Sequence, residues 1–149
     1  GDYSIENKKG CSSKFKSKGN DYRCSAMISK VLCDNTDANG NNLIYSEKFN
    51  KPCSPNYYKG ALVVDSGKVQ NLKKGHTYHF YRQDSNGRFS HKPGTLAVEN
   101  LDAENNPIYV PHLSKKNYNL KKTKKGINYD INCTYFCVPR GYHAKTNAI

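Results

Sequence analysis

The chain has no tryptophan and a single methionine, and its 12 Asp and Glu face 24 Lys and Arg. Hydrophobic residues make up only 36% of it. Mean hydropathy is −0.89. No apolar run approaches the ~18 residues of a membrane-crossing helix, so no membrane span is expected. No Cys-x-x-Cys pair is matched by a second Cys or His pair, so no zinc site is expected. No cofactor is expected either. There is no internal repeat and no linker long enough to divide the 149 residues, which reads as one domain, 1–149. No signal peptide stands at Gly1; any leader is expected to have been removed or never to have existed.

What is present is positive charge and cysteine. A formal net charge of +12 points to a polyanionic partner, whether cell wall, glycan or nucleic acid. A composition bias that fills neutral surface with Lys and Asn would give the same count. Six cysteines at 11, 24, 33, 53, 133 and 137 fit three disulfides, in up to 15 connectivities. They place the protein outside reducing compartments, secreted or in a virus particle. Asn132-Cys133-Thr134 is an N-glycosylation triplet of a kind that also arises by chance.

Residues 1–20 are polar and aperiodic, an extended arm. In "YRCSAMISKVLCDN", Cys24, Met27, Ile28, Val31 and Leu32 fall on one helical face. "YYKGALVV" (57–64) is nearly apolar at its end and reads as a central strand. "TYHFYR" (77–82) alternates, with Thr77, His79 and Tyr81 on one face and Tyr78, Phe80 and Arg82 on the other. "DSNG" turns the chain and "RFSH" returns it. "TLAVEN" and "NPIYVPH" read as short edge strands or loops. A basic segment, 115–125, precedes a last strand in "INYDINCTYFCVP". The sum is α+β: one N-terminal helix packed on an antiparallel meander.

Cys24 begins the helix, where the dipole and unpaired N–H groups stabilise a thiolate. A bridged or buried cysteine would read the same way. A thiolate needs a base, usually His, which in turn needs an orienting group. His79 lies within a strand and His91 on the returning one. A two-residue Asn86-Gly87 loop would put them on opposite faces. A three-residue Ser85-Asn86-Gly87 loop would pair Tyr81 with His91 and set the two histidines diagonally on one face, with Gly87 left-handed. Arg82 and Lys92 are candidate anion-binding groups, and Asp84 is expected to pair with Arg82 or Arg88. His76, His112 and His143 receive no role.

"RCSAMISKVL" followed by "HFYRQDSNGRFSH" resembles the NlpC-type papain-like cysteine peptidases. Those begin a helix with Asp-Cys-Ser-Gly, then carry a strand His and a second polar residue about a dozen positions on. The resemblance covers about residues 20–94. It implies a papain-like core, Cys24 as nucleophile, His79 as base and His91 as orienting residue, in an amidase or peptidase acting on cell-wall peptides. Arg23 and Ala26 replace the family's Asp and Gly. The block also looks like one in small uncharacterised bacterial and large-virus proteins. Two readings stand beside the hydrolase. One is a non-catalytic structural or polyanion-binding protein on a hydrolase-like scaffold. The other is a basic ribonuclease using two histidines as general base and acid.

Overall fold

A computed structural model describes residues 21–92, 97–119 and 126–145. The expected arm 1–20, Cys11, Pro93-Gly94 and the basic run 120–125 lie outside these residues. The described chain forms one helix, α1 (Cys24–Asp34), and five strands: β1 (Tyr45–Glu47), β2 (Tyr57–Asp65), β3 (Thr77–Gln83), β4 (Phe89–Ser90) and β5 (Ile131–Pro139). This is an α+β arrangement with a fully antiparallel sheet in the order β1-β5-β2-β3-β4.

Helix α1 follows its apolar stripe. Met27 and Val31 are buried, and Cys24, Ile28 and Leu32 pack beside them. β2 is central, and from Tyr58 to Asp65 every residue is buried. Both of its faces are covered, by α1 on one side and by loops on the other, which is why its sequence runs apolar rather than alternating.

The antiparallel sheet is a meander only in part. Only β2-β3-β4 run as a meander. β5 returns from the end of the chain and inserts between β1 and β2, pairing with both. β1, only three residues long, carries no alternating signal long enough to be read. The described part of the segments read as short edge strands or loops forms loops with isolated bridges: His91 with Glu99, Leu101 with Pro107, and Phe89 with Ile108.

The sheet carries a core on each face. One comprises Tyr58, Leu62, Val64, Phe80, Phe136 and Val138 under α1. The other comprises Ala61, Val63, Tyr81, Phe89, Tyr129 and Tyr135, covered by Ala103, Ile108 and Tyr118 from loops.

Disulfides Cys24–Cys133 and Cys53–Cys137 close loops spanning 109 and 84 residues. Cys33 is disulfide-bonded as well. In β5, Leu62 pairs with Thr134 but Val63 pairs with Asn132, so Cys133 is the extra residue of a β-bulge. Strict alternation after Thr134 would turn Cys133 away from the helix. The bulge puts both residues on the helix side and lets Cys133 reach Cys24.

Candidate functional site

The β3–β4 turn places the histidines. Arg82 pairs with Ser90 and Gln83 with Phe89, which is the register of the three-residue loop. Gly87 takes φ +85°, the left-handed value that loop demands. His79 and His91 therefore share a face, and their rings meet edge to face with Nε2 of His79 2.7 Å from Nδ1 of His91. His91 Nε2 lies 2.9 Å from the Leu101 carbonyl. A carbonyl only accepts, so His91 carries a proton on Nε2. In the neutral pair, His79 Nε2–H then donates to His91 Nδ1. Both residues are buried, at 8% and 4% exposure.

Tyrosines surround the pair. His79 stacks on Tyr129 at 4.9 Å and meets Tyr81 edge-on. Burial pushes the phenols of this face upward: Tyr118 and Tyr135 to about 12, with Tyr81 and Tyr129 also held well above the ordinary phenol value. Tyr135 also accepts the His112 backbone N–H at 3.1 Å, with its hydroxyl 2.6 Å from His112 Nδ1. His112 thus has a partner its sequence context did not reveal. So has His76, whose Nδ1 lies 3.1 Å from Asp65.

The expected nucleophile is not part of this constellation. Cys24 is covalently bonded to Cys133, so it has no thiolate to offer. It also sits on the other side of the sheet: Tyr78 and Phe80 pack toward α1, while His79 and Tyr81 face away. Arg23, beside Cys24, pairs with Asp21 at 2.6 Å. That contact holds the Asp21 carboxyl at about 2. The physical reason for the correction is parity: residues adjacent along a strand project to opposite faces.

Arg82 and Lys92 follow the same parity and project away from the histidines. The chain brings these two together. They line one groove of about 920 Å³, floored by Thr77–Phe80 of β3 and walled by Gly141, Tyr142, His143 and Ala144. The Arg82 guanidinium lies 4.2 Å above the Tyr58 ring. Neither cation has a carboxylate partner among the described residues. Asp84, expected to pair with Arg82 or Arg88, instead accepts the Ser90 hydroxyl at 3.0 Å. Arg88 lies over Tyr109.

The far wall of this groove depends on Asn35, which no local pattern singles out. Its side chain is fully buried. It donates to the Val31 carbonyl and accepts both the Tyr142 hydroxyl and the Lys145 N–H at 2.7 Å. The C-terminal segment is thereby clamped to the end of α1. Lys59 plays a similar part elsewhere: its ammonium donates to the carbonyls of Lys48, Phe49 and Lys51 and fixes that turn.

Among the described residues no group of three or more His, Cys, Asp or Glu is arranged to hold a metal ion, and no helix is long and apolar enough to cross a membrane. No protein-family model matches the chain, and no solved structure matches it. Among curated proteins it is similar, over 42 residues at 43% identity, to "Insoluble matrix shell protein 1" of Ruditapes philippinarum. That match spans 28% of this chain and 28% of the shell protein.

Proposed function

We propose that this is a non-catalytic extracellular structural protein, cross-braced by disulfides, that engages polyanions through its cationic surface. The carrying observation is the Cys24–Cys133 bond, which turns the one candidate nucleophile into a staple between the helix and the last strand. The histidine pair supports the same reading. Two buried imidazoles bonded to each other and to a backbone carbonyl tie β3, β4 and the Leu101 loop together. They lie on the opposite side of the sheet from Arg82 and Lys92, so a ribonuclease would have its acid–base pair and its phosphate-holding cations apart.

Disulfides persist in oxidising compartments. The similarity to a shell-matrix protein favours an extracellular setting over a virus particle. A surplus of 12 positive charges suits adhesion to an acidic matrix.

Alkylation of the protein unfolded without reductant tests the non-catalytic part. The expected result is no labelled cysteine until reductant is added. Labelling of Cys24 in the unreduced protein would restore the hydrolase reading.

A further inference from the structure

The groove between β3 and the C-terminal segment holds two cations with no carboxylate partner among the described residues, beside aromatic rings, on a chain braced by disulfides. We infer that this groove binds a segment of an anionic polysaccharide, with Arg82 and Lys92 on sulfate or carboxylate groups and the Tyr78 and Tyr142 rings against sugar faces. The inference rests on the proposed polyanion-binding role and assigns it a site.

The geometry is preorganised. Arg82 is held over Tyr58 by a cation–π contact, which positions the guanidinium without neutralising it. A free surface arginine would have to give up rotamer freedom on binding; this one has given up part of it already. Arg140 lies 6.0 Å from the same ring, outside the groove's lining. Among the described residues no Asp or Glu lines the groove. Tyr142, which lines the groove, is fixed through its hydroxyl, which donates to Asn35. Tyr78 packs edge-on against Phe80 at 5.6 Å and beside Tyr22 at 5.7 Å, which holds it as a half-exposed wall.

The volume of about 920 Å³ lies at the upper end for sites that enclose small molecules. Its open form suits a short stretch of a longer chain. Outside reducing compartments the abundant flexible polyanions are acidic glycans, and a glycan rather than a nucleic acid is therefore the occupant the disulfides favour.

The test is isothermal titration of the whole protein with a chondroitin sulfate hexasaccharide near physiological salt. The expected result is that Arg82→Gln with Lys92→Gln weakens binding by about tenfold or more. Lys68→Gln with Lys115→Gln removes the same charge from exposed positions outside the groove and is expected to change affinity by less than about threefold. Both pairs are exposed, so circular dichroism and thermal melting are expected to match the parent. Equal losses in the two double variants would overturn the groove while leaving polyanion binding standing. Equal binding of an unsulfated neutral hexasaccharide would overturn the charge-based recognition. Tighter binding of a single-stranded oligonucleotide, lost in the groove variant, would replace glycan with nucleic acid. Failure of the parent to bind any polyanion would overturn the groove and the polyanion-binding role together.

Discussion

The two faces of the sheet solve the problem of burial differently. The helix face is covered by one regular element whose Met27, Val31, Ile28 and Leu32 meet Leu62, Val64, Phe136 and Val138. It mixes aliphatic side chains with the rings of Tyr58, Phe80 and Phe136 and is locked by a covalent bond at the start of the helix. The opposite face is covered by loops, and beside Ala61, Val63, Ala103 and Ile108 its core is filled by tyrosine, phenylalanine and histidine rings. Loops bring backbone polar groups with them, and a core beneath loops must satisfy them. His91 binding the Leu101 carbonyl and Tyr135 binding the His112 N–H do this. A chain poor in aliphatic residues can thus build a second core from amphipathic rings, provided their polar atoms find partners.

The largest expected effect breaks the helix face. Cys24→Ser with Cys133→Ser opens a loop spanning 109 residues and should cost about 4 kcal/mol in the chain-entropy account. Urea unfolding of the double variant against the parent measures it. A loss confined to a few tenths of a kcal/mol would mean that the helix is held by packing alone.

On the loop face, His91→Ala removes a buried ring and leaves the Leu101 carbonyl and His79 without that partner. The expected cost is about 2–4 kcal/mol, read from the same unfolding curves. Alkaline titration sharpens the contrast further. The folded values of Tyr118 and Tyr135 stand above the unfolded phenol near 10. Their contribution to stability is therefore fully present below about pH 10 and is lost as pH rises through about 12. Melting temperature should fall across that window, with the tyrosinate absorbance of the native protein lagging behind that of the unfolded chain.

Gly87→Ala is expected to cost about 1 kcal/mol. The φ of +85° strains an L side chain although no atom stands within 4 Å of the added Cβ. A neutral result would show that the turn tolerates another loop geometry, and the histidine register would then rest on the strands alone. The smallest effect belongs to Arg82→Gln with Lys92→Gln, within about 0.5 kcal/mol in stability because both side chains are exposed. A larger loss would mean that the cation over Tyr58 serves the fold.

Much of this was legible along the chain because it is local. The stripe of α1, the apolar run of β2, the alternation of β3 and the turn chemistry of Gly87 depend on neighbours within a few residues. They allow His79 to stand beside His91 only if the turn is the three-residue loop, and the β3–β4 pairing of Arg82 with Ser90 and Gln83 with Phe89 is what made that choice. Disulfide partnership, the position of β5 and the Asn35 clamp on Tyr142 could not be read this way. Each joins residues separated by about a hundred positions or settles which strand lies at whose edge. Cys24 shows the difference most plainly. Its helix-start position was set by the pattern around it, and that position suits a thiolate and a disulfide equally well. The choice was made by a bulge at Cys133 in the last strand, which turned a second sulfur to the helix side of the sheet.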